Sequence, residues 1–408
     1  VGVEALAAVG AGDWLVWLVF GIMTGITQGF SILVAQFYGA REKENLKCAV
    51  AKSYIMTALL SVIVLAVSEG AVYHVLLFLQ TPDNVIDLTM LYLRLIFAGI
   101  PIIAAYNIFA AILRALGNSR SPLIAMTVAA LINVGLDLLF VAVFGWGVAG
   151  AAVATVIAQG FSALYCLMVL RKIPDIRLEK QDFYRQPAMS LRLLKVATPL
   201  AIQNVIISVG GLTVQYVVNG FGFLFVAGFT ASNKLYGVLE MAAVSYGYAI
   251  TTYVGQNLGA KKIERIKKGY HAALVLDVCF AVLAFIVIET LHTPISSLFL
   301  GKDGTALAYQ VSGDYMRWLG YFFIFMGIKM ATDGVLRGLG IMRPFLIANM
   351  VNLAIRLSVA LICAPRFGIV FVWIAVPAGW FANFLISYVA LRRSWPTDSS
   401  TEEGDYSL

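Results

Sequence analysis

Long apolar runs constrain this chain more than any other feature of its sequence. The run 122–144 is apolar apart from hydroxyl side chains, Asn133 and Asp137, and about 20 predominantly apolar residues suffice for a helix to cross a bilayer. Only 12% of the residues are charged, where a soluble domain has about 25%. The sequence therefore predicts an all-α polytopic membrane protein.

Charge and cysteine patterns exclude several classes of function. The net charge of +7 does not indicate nucleic-acid binding, because the basic residues fall in short loops between apolar runs. By the positive-inside rule these loops are cytoplasmic, which places the C-terminus inside. The four cysteines show neither metal-type spacing nor a disulfide framework. No metalloprotease, nucleophile-elbow or Walker motif occurs, so we expect neither an enzyme, nor a cofactor, nor an ATP-driven pump in this chain.

Hydropathy and helix breakers divide the chain into two groups of spans. A charged connector, 171–192, separates them, and an acidic tail, 394–408, is predicted to be disordered. Five spans are predicted before the connector and six after it: 14–38, 53–79, 88–113, 122–144 and 147–170, then 193–220, 223–257, 270–292, 306–337, 344–365 and 368–391.

Internal repetition is the strongest pattern in the sequence. Residues 34–41 recur at 254–261, an offset of 220, and residues 113–117 recur at 336–340, an offset of 223. Two matches in the same order predict a duplication. The helix 193–220 has no partner in the first half, so we expect eleven of twelve parental helices, with the first one missing. Six helices per repeat make the halves parallel, and a substrate cavity is expected between them.

Charged residues near the outer surface also recur. Arg94 and Arg317 occupy repeated positions, as do Glu69 and Glu289. Such twinning favours an architectural role for these four side chains.

Asp137 is the first candidate for chemistry. A carboxylate near the middle of a spanning helix costs roughly 2.5–3.5 kcal/mol on insertion scales, so it normally faces the protein interior and marks a substrate or ion path. Asn133 lies one turn earlier on the same face. Asn107 and Thr155 offer neutral oxygens, and the four together would suit a proton or Na⁺. The alternatives are a structural pair at Asp137 and Asn133, and single interhelical hydrogen bonds at the other two.

The second half does not copy this set. At the offset of 223, Asn133 corresponds to Arg356 and Asp137 to Ala360. Glu240 is a candidate for meeting a cationic substrate, or else it pairs with a buried cation. Lys329, Asp333 and Arg337 follow at i,i+4 steps, a spacing typical of a structural ion ladder. The other candidates for a substrate cavity are Gln203, Gln215, Asp333 and Arg356.

Taken together, these motifs resemble the multidrug and toxic compound extrusion (MATE) family of transporters, from residue 1 to about residue 393. The segments that show the resemblance are 34–39 with 254–259, 113–117 with Pro122, 133–137, and 147–155. The resemblance implies a V of two six-helix lobes, 1–170 and 193–393, around a central cavity. It also implies export of organic cations or other amphipathic drugs in exchange for H⁺ or Na⁺.

The resemblance implies a coupling site in the N-terminal lobe. The residues of the DinF-like branch map onto Asn107, Asn133, Asp137 and Thr155, with a possible Na⁺ at Asp137 and Asn133. A further Asp belongs to the absent first helix, without which normal coupling is not expected. The acid of NorM-like members falls on Met326 and the pseudo-symmetric position on Gln215, both neutral. The chain is therefore expected to be DinF-like rather than NorM-like.

We expect a multi-pass secondary exporter in the plasma membrane. Its predicted partners are small amphipathic molecules and the bilayer, with no nucleic acid, and the predicted state is a monomer. Three rivals stay open. An organic-acid exporter would use Arg356, a flippase for lipid-linked precursors would need a more basic cavity and extra helices, and a non-transporting receptor would tolerate the loss of Asp137.

Overall fold

The computed structural model describes residues 3–78, 81, 83–184, 186–300 and 305–395, and it is helical along most of this length. Most of the predicted tail, 394–408, lies outside the described residues. The helices are α1 Val3–Ala40, α2 Lys43–Phe78, α3 Asp83–Ala98, α4 Ile100–Ala115, α5 Arg120–Asp137, α6 Gly147–Leu170, α7 Ala188–Asn219, α8 Phe223–Gly259, α9 Ile263–Leu300, α10 Ala306–Leu339, α11 Met342–Ser358, α12 Ala364–Phe367 and α13 Val370–Arg393. Two π-helical segments, Leu138–Val143 and Val359–Cys363, follow α5 and α11.

Most of these helices can cross a membrane. Within the described ranges, nine helical segments are long and apolar enough to do so, and the bent pair α3 and α4 makes a tenth. The predicted span 223–257 is helical as α8, but it is not among them, because Asn233, Lys234 and Glu240 interrupt its apolar run. The protein is a multi-pass membrane protein, and the count of eleven spans remains a prediction.

The predicted span 88–113 corresponds to the bent pair of helices α3 and α4, whose axes meet at 45°. Pro101 lies in the first turn of α4 and has no N–H to continue the hydrogen bonds of α3. The bend brings the backbone at Gly99 against α6, where an ideal Cβ would lie 2.5 Å from Cγ2 of Val156. A side chain at residue 99 would force Val156 or the backbone to shift.

The chain divides into two compact units, Val1–Val205 and Ile206–Leu408. The division falls inside α7, since the first half of this helix packs against α1. An ideal Cβ on Gly25 would lie 2.7 Å from the carbonyl oxygen of Leu200, and one on Gly29 would collide with Ala197. Small residues at such spacing let two membrane helices approach closely. The predicted lobes and connector remain a prediction.

Within the first unit, the connector lies against α2. It contains two short 3₁₀ turns, Pro174–Ile176 and Lys180–Phe183. Lys43 Nζ lies 3.1 Å from Asp175 Oδ1, and Lys52 Nζ donates to the carbonyl oxygen of Phe183 at 2.7 Å. Helix α7 begins at Ala188, so the last five residues of the predicted connector, 188–192, are helical.

In the second unit, α10 packs against α8, α9 and α13. Its buried face carries the aromatic core of the unit, where the rings of Tyr315 and Trp373 lie 4.4 Å apart and Phe229 contacts both.

Several local features occur once in each unit, at the offsets of the sequence repeat. An Arg–Glu ion pair joins Arg94 to Glu69 at 3.7 Å and Arg317 to Glu289 at 3.4 Å. Positive φ angles also occur in pairs: Arg41 (61°) and Lys261 (56°), Gly117 (87°) and Gly340 (79°), and Gly145 (69°) and Gly368 (100°). The matched backbone and ion pairs indicate that the two units share a local design.

Candidate functional site

Asp137 is the last residue of α5 and is followed directly by the π-helical segment Leu138–Val143. At 1.5 Å per residue it lies about 26 Å from Arg120 and about 9 Å from Val143. The carboxylate therefore lies near one end of the span, whereas the sequence predicted a position near its middle. The helix begins at Arg120, before the predicted start at 122. Short π-helical turns inside α-helices are frequent at functional sites.

Asp137 faces away from the most exposed side of its helix. Leu131, Val134 and Leu138 are 59–71% exposed, whereas Asp137 is half-buried. Its Oδ1 atom is buried and has no hydrogen-bond partner among the described residues. A buried polar atom left without a partner costs about 1–3 kcal/mol, and more when it is charged. The described residues thus leave this oxygen free to meet a proton or a cation.

Two of the predicted neighbours meet beside it. Asn133 Nδ2 lies 3.5 Å from Thr155 Oγ1 on α6, a long hydrogen bond, and Thr155 donates to the carbonyl oxygen of Ala151 at 3.0 Å. Asn107 lies half-buried on α4 and forms no hydrogen bond with these groups in the described part of the chain. The structure thus brings Asn133 and Thr155 together, with Asp137 one turn from Asn133.

A second carboxylate near this site was missed from the sequence. Tyr92 on α3 interacts electrostatically with both Asp13 of α1 and Asp137. Asp13 lies inside the apolar span Ala8–Ala40, one residue before the predicted start at 14. The rule that singled out Asp137, a carboxylate inside an apolar helix, would have found it.

Glu240 lies in a polar cluster inside the second unit. Tyr236 on α8 donates its hydroxyl to Glu240 Oε1 at 3.2 Å. Arg356 on α11 and Lys329 on α10 both act electrostatically on this carboxylate. The Nε atom of Arg356 is buried and has no hydrogen-bond partner in the ranges described above. Both interpretations of Glu240 stay open: Arg356 and Lys329 act on it electrostatically, but no ion pair joins it to either side chain in the described residues.

Both carboxylate oxygens of Asp333 have partners. Lys329 Nζ lies 3.3 Å from its Oδ2 atom, Ser387 donates to Oδ1 at 2.7 Å and Asn349 donates to Oδ2 at 3.3 Å. Asp333 is 0% exposed and Lys329 is 2% exposed, and the Arg337 guanidinium lies over the Tyr248 ring at 5.0 Å. The Lys329–Asp333 step of the predicted ladder is therefore present, and neither oxygen of Asp333 is left free for a substrate.

The two glutamine candidates lie on α7 in different units. Gln203 is buried in the first unit, and Gln215 in the second donates to Asn219 Oδ1 at 2.8 Å. Among the described residues, no group of three or more His, Cys, Asp or Glu side chains could hold a metal ion. A Na⁺ at Asp137 would therefore depend on neutral oxygens such as those of Asn133 and Thr155.

Comparisons with known proteins agree on one family. The MatE family model matches residues 1–139 and 199–362. The probable multidrug resistance protein YpnP of Bacillus subtilis (strain 168) is 27% identical over 359 residues, which are 86% of this chain and 78% of YpnP. The probable multidrug resistance protein YoeA of the same strain is 27% identical over 406 residues, which are 97% of this chain and 87% of YoeA. A solved MOP superfamily transporter from Pyrococcus furiosus Vc1 (DSM3638) has a TM-score of 0.91 at 22% identity, covering 98% of this chain and 89% of its own. Since the family model matches more than half of its residues, the chain belongs to the MatE family, whose members are membrane transporters rather than enzymes.

Proposed function

We propose that the protein is a secondary active exporter that moves organic cations or other amphipathic drugs out of the cell in exchange for H⁺ or Na⁺. The observation that carries this proposal is the buried Oδ1 of Asp137, which has no partner in the described residues although it lies in a membrane span. The relatives YpnP and YoeA, named as probable multidrug resistance proteins, support the substrate class.

Coupling is assigned to the first unit. A proton or cation at Asp137 would neutralise a charge that the fold leaves without a partner, with Asn133 and Thr155 beside it. A ligand shifts a conformational equilibrium only by its differential affinity for the two states, and an unpartnered carboxylate binds a cation in one state and is free to hydrate in the other. The adjoining π-helical segment, Leu138–Val143, is where α5 departs from regular hydrogen bonding. We place the conformational response there.

The proposal also includes an architecture of two repeated halves. Eleven spans form two parallel repeats, 1–170 and 193–393, joined by the connector and rocking against each other in alternating access. The matched positive φ angles and ion pairs of the two units support the repeat. In this proposal the basic loops and the C-terminus are cytoplasmic, and the membrane is the plasma membrane. One chain contains both repeats and acts as a monomer, without a nucleic-acid partner.

The residues proposed for coupling match the DinF-like pattern rather than the NorM-like one. Asn107, Asn133, Asp137 and Thr155 are all present in the first unit. The position of the NorM-like acid is occupied by Met326, which is 1% exposed in an apolar core. No carboxylate can therefore act from that position.

Export of an organic acid is the second candidate. The observation that favours it is the buried Nε of Arg356, which has no partner in the described residues and lies beside Glu240. An anionic substrate that accepted from this Nε atom would gain a charge-assisted hydrogen bond.

Transport by the purified full-length protein in lipid vesicles separates these candidates. An imposed proton or Na⁺ gradient should drive ethidium uptake into inside-out vesicles, with radiolabelled citrate as the anionic probe. Ethidium uptake that requires Asp137 supports the proposal. Citrate uptake alone supports the organic-acid exporter, and uptake of neither probe contradicts both assignments. The matched control for Asp137→Asn is Asp87→Asn, at an exposed position on α3.

A further inference from the structure

The second unit contains another membrane carboxylate that the proposed function does not use. Asp277 lies in the apolar span Ile263–Ser297 of α9, about 21 Å along the helix from Ile263. It is only 4% exposed, although its neighbours Val275 and Leu276 are 62% and 58% exposed. Its side chain therefore faces protein while the adjacent residues face outward.

The packing around Asp277 is shaped for this side chain. An ideal Cβ on Gly327 of α10 would lie 3.1 Å from the Cβ, Cγ and Oδ1 atoms of Asp277. The absence of a side chain at residue 327 lets the carboxyl group lie flat against α10. The Oδ2 atom is buried and has no hydrogen-bond partner in the described ranges, nor does any Lys, Arg or His there form an ion pair with Asp277.

Two tyrosines are the titratable groups that face Asp277. Tyr246 comes from α8, and its hydroxyl donates to the carbonyl oxygen of Ala273 at 2.8 Å. Tyr270, on α9 itself, has its hydroxyl 2.8 Å from Thr332 Oγ1. Helix α10 contributes Gly327 at the point of contact. Both phenol groups are thus engaged elsewhere, and neither neutralises the carboxyl group.

Asp333 provides a contrast inside the same unit. Asp333 is 0% exposed, and Lys329 and Ser387 satisfy its oxygens. A buried carboxylate with no such partner is strongly unfavourable. A metal cation would need several oxygen ligands, and no group of three or more His, Cys, Asp or Glu side chains in the described residues could hold one, whereas a proton needs one oxygen.

We propose that Asp277 is a proton-binding site of the second unit, separate from Asp137, whose carboxyl group is protonated in the closed packing of α9 on α10. The proton leaves when α9 and α10 separate enough to hydrate the buried Oδ2 atom. Only its contribution to transport rests on the proposed exporter function, since the binding of the proton follows from the packing alone.

Infrared spectroscopy of the purified full-length protein in lipid tests this site without transport. The difference spectrum between wild type and Asp277→Asn should contain the carbonyl-stretch band of one protonated carboxylic acid. Asp314→Asn, at an exposed position on α10, is the matched control and should lose only an ionised-carboxylate band. Loss of an ionised-carboxylate band in Asp277→Asn would overturn the proposal.

A second variant covers the case in which Asp277→Asn does not accumulate. Gly327→Ala keeps the carboxyl group but places a methyl group against it, so the acid band should shift in frequency. An unshifted band overturns the proposal. Neither spectrum needs a substrate, so a negative transport assay would remove the exporter function but not the proton site. Spectra that contradict the proton site would likewise leave the exporter function standing.

Discussion

At the scale of single residues, the buried ion pair of Lys329 and Asp333 should contribute strongly to stability. Removing one partner of such a pair costs about 3–5 kcal/mol, because the other charge is left uncompensated. We therefore expect Lys329→Met to lower the thermal unfolding midpoint markedly in a detergent-based melting assay.

The matched control for this prediction is Lys267→Met. It breaks the Lys267–Glu264 pair, whose atoms lie 2.9 Å apart but whose side chains are 45% and 69% exposed. Water screens such a pair, so little change is expected. Similar shifts in the two variants would contradict the assignment of a buried ladder.

The residue scale also shows what sequence reasoning can find. The i,i+4 spacing was enough to place Asn133 and Asp137 on one helix face, and Lys329 beside Asp333. It could not give Ser387 and Asn349 as partners of Asp333, because those contacts depend on how distant helices pack. Asp13 and Asp277 carry the same signal as Asp137, a carboxylate inside an apolar span.

At the scale of helices, the contact of α1 with α7 depends on glycine. A methyl group at residue 25 would press on the backbone of Leu200, and overpacking of this kind typically costs about 1–3 kcal/mol. Gly25→Ala should therefore lower the melting temperature of the purified protein.

Gly10→Ala, on the same helix, provides the comparison. An ideal Cβ there has no neighbour within 4 Å, so the change should be neutral or stabilising by about 0.5–1 kcal/mol through helix propensity. A protein that tolerates alanine equally at residues 10 and 25 would not have the close contact described above.

Helix positions were more predictable than helix interruptions. The predicted span 147–170 coincides with α6, whereas 270–292 is only the apolar part of α9, which continues through charged turns to Ile263. The bend at Gly99 had a signal in the nearby Pro101. The π-helical segment after Asp137 had none, because hydrogen-bond register is not encoded in hydropathy.

At the scale of the whole molecule, the repeat predicts that paired positions respond alike. Gly117 and Gly340 have φ angles of 87° and 79°, where a side chain costs about 1–2 kcal/mol. Alanine at either position should lower the unfolding midpoint by a similar amount.

Gly70→Ala, whose ideal Cβ has no neighbour within 4 Å, is the control for this pair and should not lower the midpoint. If only one of Gly117→Ala and Gly340→Ala is destabilising, the two units do not share the local design that we propose.

The central claim is that transport is coupled at Asp137. The most direct measurement follows an imposed proton or Na⁺ gradient across inside-out vesicles that contain the full-length protein, before and after ethidium is added. We predict that ethidium collapses one of the two gradients in wild type and in Asp87→Asn, and collapses neither in Asp137→Asn. Collapse of the same gradient at the same rate in Asp137→Asn would contradict the account.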